Sequence, residues 1–352
     1  MKKVLPYLLF LVPLIFLFFN GQFYNPLEGD EPRYLAYANN LMSGYYADPQ
    51  QPYLTNGPGY PLILAILLKF NFSIVAIKKV NLLFLFASIS FFFNASKILV
   101  QQERTSLFFA LLFEYYILSS NGEYFKLLTE PLTLLLICAI TFLVLLGANR
   151  FRLTIAILIG LLILVKVVFA YVILAMLVVL IIRKLVFQIK ETTNTFIKIL
   201  VIAVFTNLPY LAYTYSLTGR LLYWSDHGGK SLYWMASPNK YELGDFIPSN
   251  LKIPDNNLIF NFDSNYIVNN HNKNIEKISS LTAVEQDDEF KRMAFNLIIH
   301  HPTKFIANWF CSVSRLLFNR PYTFSIQHNR GNPFFFIEIP SAFFWVCYFF
   351  LA

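Results

Sequence analysis

The sequence predicts an all-α polytopic membrane protein, and three observations carry that prediction. Of the 352 residues, 57% are hydrophobic and only 14% charged, against about 25% charged in soluble domains. The apolar residues gather in runs of bilayer-crossing length, at 4–19, 78–99, 106–119, 131–147, 153–182, 196–218 and 334–352. The 38 Phe and 21 Tyr suit lipid-facing helices and interfacial belts.

The net charge of +8 fits lysines and arginines in cytoplasmic loops beside anionic lipid. No basic stripe with interleaved aromatics occurs, so a lipid bilayer and not a nucleic acid is the expected partner. The cysteines, Cys138, Cys311 and Cys347, offer neither CxxC spacing nor a disulfide framework. Met1-Lys2-Lys3 followed by 4–19 has the look of a signal peptide. The residues after it (Phe19-Asn20-Gly21-Gln22-Phe23-Tyr24) are too bulky for a small-x-small cleavage site. It reads as a retained first helix with its lysines inside.

The run 153–182 decides topology. As one helix it is too long without strong tilt; as two it turns near Lys166. Counting positive charges favours two. Cytoplasmic loops then carry Lys97 and Arg104, Arg150 and Arg152, and Arg183, Lys184, Lys190 and Lys198. The outer side receives 20–77, 120–130 and 219–333, with Lys69, Lys78 and Lys79 outside against the rule. The expected organisation is a transmembrane module over 1–218, an extracytoplasmic segment over 219–333 and a terminal helix over 334–352.

The first outer loop holds Gly29-Asp30-Glu31-Pro32-Arg33-Tyr34. Pro32 suits the first turn of a helix and Gly44 its stop. Between them Tyr34, Ala38, Leu41 and Met42 fall on one face, predicting an amphipathic helix on the membrane. Asn56-Gly57-Pro58-Gly59-Tyr60-Pro61 reads as a compact turn. It leads into a short apolar helix over 62–69, too short to span and so re-entrant or interfacial. In the second outer loop Glu130 precedes Pro131 at a helix start, where the helix dipole favours a carboxylate. Further on, 256–274 is an Asn-rich tract, 285–300 an amphipathic helix, and 303–318 an apolar helix that is either interfacial, the favoured reading, or a short span. Asp287-Asp288-Glu289 reads as a solvated face. His300-His301 reads as a helix end and not a zinc site, because helical neighbours diverge. There is no phosphate loop and no internal repeat.

The segment LEGDEPRYLAYANNLMSGYY…TNGPGYPLILAILL resembles the first extracytoplasmic loop of GT-C integral membrane glycosyltransferases. More narrowly, it resembles the branch that holds protein O-mannosyltransferases and the lipid A aminoarabinose transferase. The resemblance assigns Asp30-Glu31 to that family's Asp-Glu pair, 33–43 to its juxtamembrane helix and 58–61 to the following turn. LLTEPLTLLL is similar to its second acidic position, at Glu130. LTGRLLYWSDHGGKSLYWMASP and EQDDEFKRMAFNLIIHHPTKFI resemble the region after the middle helices in bacterial members. Family members usually carry more transmembrane helices and a separate C-terminal soluble domain. Ending after about eight spans, this chain is expected to be a short member or a fragment.

The resemblance implies a GT-C-like bundle in a bacterial inner membrane with its site on the periplasmic face. It implies an inverting transfer of sugar from a polyprenyl-phosphate donor to a glycan, lipid or protein acceptor, with no cofactor and no divalent metal. Such a reaction needs a base for the acceptor hydroxyl and a cation for the leaving phosphate. Asp30 and Glu31 are the candidate catalytic pair. Adjacent residues at a helix start point apart, so one is expected to catalyse and the other to hold structure, and family position selects Asp30 as base. The bland alternative is that both only cap the helix. Glu130 is either an acceptor-binding or structural acid, or a plain helix N-terminal charge. Lys166, a lone charge in an apolar run, is the first candidate for the donor phosphate; otherwise it is a snorkelling lysine. Arg33, Lys78 and Lys79 are further phosphate candidates. Two competing functions stand beside the transferase: a transporter or flippase for lipid-linked glycans, which predicts broken helices and repeats, and a catalytically inactive accessory membrane protein.

Overall fold

The computed structural model describes residues 4–50, 52–119, 122–187, 191–240, 242–244, 270–271 and 273–318. The sequence-predicted terminal run 334–352 and most of the Asn-rich tract lie outside them. All regular structure among the described residues is helical, with no strand. The chain divides into two units, with the boundary between Ser225 and Asp226 instead of near 218. The reason is local: the Tyr210 hydroxyl donates to the Trp224 carbonyl at 3.0 Å, which ties 219–225 back to the helical bundle.

The first unit holds α1 (Leu5–Asn20), α2 (Glu31–Met42), α3 (Gly59–Lys69), α4 (Ile74–Val100), α5 (Glu103–Ser119), a 3-10 turn (Glu123–Phe125), α6 (Glu130–Gly147), α7 (Arg152–Val165), α8 (Val168–Phe187), α9 (Glu191–Phe205) and α10 (Leu208–Thr218). Helix α4 is its axis, packing on α6, α5 and α1, while α7 packs on α9 and α3. Among the described residues three helices are long and apolar enough to cross a membrane, α4, α6 and α8, or four spans if the bent pair α9–α10 counts as one. In α8 only 11% of the most apolar stretch is buried, so most of its apolar surface faces outward. At 16 residues α1 is about 24 Å long, short of a roughly 30 Å hydrocarbon core; α7, at 14 residues, is shorter still.

The run 153–182 is two helices. Lys166 is extended, with φ −139° and ψ 96°, between the last residue of α7, Val165, and the first of α8, Val168. The run 196–218 is also interrupted, which the sequence reading did not expect. α9 and α10 meet at 46°. Pro209 has no N–H, and its ring excludes the carbonyl four residues back. The Asn207 amide fills the break by donating to the carbonyls of Ala203 (2.8 Å) and Gly160 (3.3 Å).

Helix α2 has Pro32 in its first turn and stops before Gly44, as its sequence predicts, but its apolar face lies against protein. Tyr34, Leu35 and Ala38 pack with Tyr60, Leu64 and Ala65 of α3 and with Ile77, Leu132 and Val165. Met42, expected on the apolar face, is exposed. The loop after α2 is pinned to α10, where the Tyr213 hydroxyl accepts from the Tyr46 and Ala47 N–H groups.

The second unit holds α11 (Gly228–Met235), α12 (Lys273–Ile278), α13 (Ala283–His300) and α14 (Pro302–Phe318). Thr282 and Glu285 form a capping box at the start of α13. The acidic run there is not a solvated face throughout. Asp287 is buried, accepts from the Gly229 N–H and pairs with Lys291; Glu289 pairs with Arg292 at 2.8 Å. His300 bonds its own helix, to the Asn296 carbonyl at 2.8 Å.

Candidate active site

Asp30 and Glu31 begin α2 and face opposite ways. Glu31 is fully buried. One carboxylate oxygen accepts from the Leu127 N–H (2.8 Å) and pairs with Lys78 (3.0 Å); the other accepts from the Glu28 N–H (2.8 Å). Lys78 is 1% exposed and also donates to the Asn25 carbonyl. A buried ion pair with its remaining hydrogen-bond sites filled is a scaffold. Glu31 and Lys78 thus hold structure here: neither lines the cavity of Asp30, and Glu31 borders a separate cavity of 470 Å³ with Glu28 and Lys126. They join the entry of α2, the start of α4 and the loop before α6. Lys79 lies over the Phe18 ring, 4.1 Å from its centroid, away from Asp30's cavity.

Asp30 holds the N-cap position yet makes no capping hydrogen bond. Its side chain, 47% exposed, takes the Arg33 guanidinium at 2.8 Å. The Arg33 Nε donates to Asn56 Oδ1 at 2.6 Å, and the Asn56 amide donates to the Tyr34 hydroxyl at 3.2 Å. Burial pushes the Tyr34 hydroxyl up to about 12, so it stays a neutral group. This network fixes Asp30 and anchors the 54–58 turn to α2.

Asp30 opens onto a cavity of 230 Å³ that is also lined by Tyr34, Asn56, Thr129, Glu130 and Lys166. Glu130 pairs with Lys166 at 2.7 Å, and both side chains are partly exposed (51% and 39%). Three of the sequence-predicted residues, Asp30, Glu130 and Lys166, thus share one cavity, with Arg33 bonded to the first. Helices α2, α6 and α8 all begin at its wall, at Asp30, Thr129 and Val168, and helix N-termini carry positive partial charge. The lining holds two carboxylates, Asp30 and Glu130, and one cation, Lys166, so any attraction for an anion rests on Lys166 and the three helix starts.

Sequence reading missed Asn56, Gly57, Tyr34 and Thr129 as parts of this wall. The turn around Gly57 was recognisable; its close approach to α7 was not. A Cβ on Gly57 would lie 2.1 Å from the Leu164 carbonyl oxygen, and one on Gly59 2.7 Å from Leu164 and Val165 backbone atoms. The two glycines let the turn press on the last turn of α7, directly before Lys166. Gly57→Ala is expected to lower stability by about 1–3 kcal/mol through overpacking and to displace Lys166. Thermal melting of the purified protein checks the first effect, and a structure of the variant the second.

Among the described residues no three His, Cys, Asp or Glu side chains converge as a metal site. No family model, no curated protein and no solved structure matches the chain.

Proposed function

We propose that the chain is a polytopic membrane glycosyltransferase of the GT-C kind. It moves a sugar from a polyprenyl-phosphate donor to a cell-envelope glycan, lipid or protein on the outer face of a bacterial inner membrane. The observation that carries this reading is the shared cavity: a half-exposed, fixed carboxylate opposite a Lys166–Glu130 pair, ringed by helix starts. The three membrane-length helices support a lipid-borne substrate. The order of motifs, from Asp-Glu through the turn to Glu130, supports the family.

In this reading the acceptor hydroxyl oxygen attacks the anomeric carbon from the side opposite the phosphate. Its proton passes to Asp30 as the new C–O bond forms. The bond from the anomeric carbon to the phosphate oxygen breaks, and the lipid phosphate leaves with both electrons against Lys166 and the helix N-termini. Arg33 orients Asp30. Glu130 holds Lys166 until phosphate competes for its ammonium.

The test is release of polyprenyl phosphate by purified protein in nanodiscs, across a panel of lipid-linked sugars and acceptors. Absence of release with every donor would count against the reading. Lys166→Gln is expected to raise the donor KM about 10- to 100-fold, the worth of one charge-assisted hydrogen bond. The same change should alter stability by only about 0–1 kcal/mol, because the pair it breaks is half-exposed.

One observation favours a transporter or flippase, the break between α9 and α10, since broken helices line transporter sites. That break is filled by Asn207, and the cavity of Asp30 lies elsewhere. Protein-dependent flipping of a lipid-linked sugar in liposomes, without release of lipid phosphate, would select this second reading.

A further inference from the structure

Helix α14 is built inside out for a helix in water. Lys304, Asn308 and Arg315 turn into the second unit beside Phe305, while Ile306, Trp309 and Phe310 turn away. Lys304 donates to the Glu242 carbonyl at 2.6 Å. Asn308, fully buried, donates to the carbonyls of Met235 and Ser237, each at 3.0 Å. Arg315 donates to the Leu243 carbonyl at 2.9 Å. These residues share one helical face. On the other, Ile306 is 53% exposed, Trp309 47% and Phe310 61%. Helix α13, joined to α14 through His301, adds Phe295 at 58% and Ile299 at 75%. A surface helix in water puts its apolar stripe against the core; here that side of α14 is occupied by hydrogen bonds to backbone carbonyls.

We propose that this face is a membrane-docking surface, seated in the headgroup and acyl boundary of the bilayer. Two features select lipid as the occupant. Exposed tryptophan and phenylalanine on one helical face are the side chains of an interfacial helix. And the run 334–352, which reads as a span in the sequence, follows α14 after only the stretch 319–333, which holds this end of the chain near a bilayer. The proposal rests on the membrane reading of α4, α6 and α8 but not on the transferase reading. For a lipid-linked substrate, the docking would keep the second unit at the level where headgroups lie.

The full chain, with Cys138, Cys311 and Cys347 changed to Ser, is labelled with a nitroxide at Phe310→Cys and separately at Ile299→Cys. It is placed in nanodiscs containing phosphatidylglycerol. Collision with oxygen, which partitions into lipid, is compared with collision with a water-soluble nickel chelate. Labels at Leu83→Cys in α4 and Lys277→Cys in α12 give the lipid and water references. Positions 310 and 299 are expected to match 83, with high oxygen and low nickel access. High nickel access at both would overturn the proposal by leaving the face in water. Low access to both reagents would overturn it in favour of a protein cover, either 319–352 or a second copy. Nickel access at 83 would remove the membrane reading itself, and the docking proposal with it.

Discussion

Asp30→Asn lowers turnover by about 100- to 10,000-fold, the range for loss of a general base, while the melting temperature stays near that of the parent. The amide keeps the shape of the carboxylate and can still accept from Arg33, which holds Asp30 at 2.8 Å. What it loses is the ability to take a proton. Asp30 is half-exposed and makes no capping hydrogen bond, so little of the fold depends on its charge. Release of polyprenyl phosphate measured at saturating donor reads kcat directly. A variant as fast as the parent would remove Asp30 from the chemistry.

Glu31→Gln is expected to have the opposite profile: a loss of fold, not a defect confined to kcat. The carboxylate accepts from two backbone N–H groups and from Lys78. A carboxamide has one oxygen and two N–H donors, so at least one of those backbone donors meets another donor. Lys78, 1% exposed, is left as a buried charge with only the Asn25 carbonyl. Breaking a buried pair in this way costs about 3–5 kcal/mol. Thermal melting or protease resistance should report it, and Lys78→Met should show a loss of similar size. The double variant Glu31→Gln, Lys78→Met should recover part of the loss, because it leaves no unpaired charge. A Glu31→Gln protein that melts like the parent but fails to turn over would return Glu31 to the catalytic set.

The contrast between these neighbours was half visible in the sequence. Two adjacent carboxylates at a helix start must point apart, and a charged pair in so apolar a chain called for separate roles. Which one is buried depended on Lys78 and the Leu127 N–H, which come from distant stretches and leave no local signal. Lys78 itself read as a surface cation outside the membrane. The division of 153–182 at Lys166 was legible because the run is too long for one span and carries a lone charge. The break at Asn207 was less so: Pro209 was in plain view, but unbroken hydrophobicity from 196 to 218 outweighed it. Asp287 was misread for a similar reason. An Asp-Asp-Glu run followed by Lys291 and Arg292 has the pattern of a solvated helix, and the Gly229 N–H that draws Asp287 inward belongs to another helix. The amphipathic pattern of 303–318 was readable, whereas the direction its apolar side faces was set by remote carbonyls.

The central claim is that one cavity binds the lipid phosphate through Lys166 and performs proton transfer through Asp30. Equilibrium binding of a polyprenyl-phosphate sugar to the parent, Asp30→Asn and Lys166→Gln proteins in nanodiscs tests it most directly. The claim predicts that the parent and Asp30→Asn bind alike and that Lys166→Gln binds about 10- to 100-fold more weakly. Equal binding by all three, or none by the parent, would contradict it.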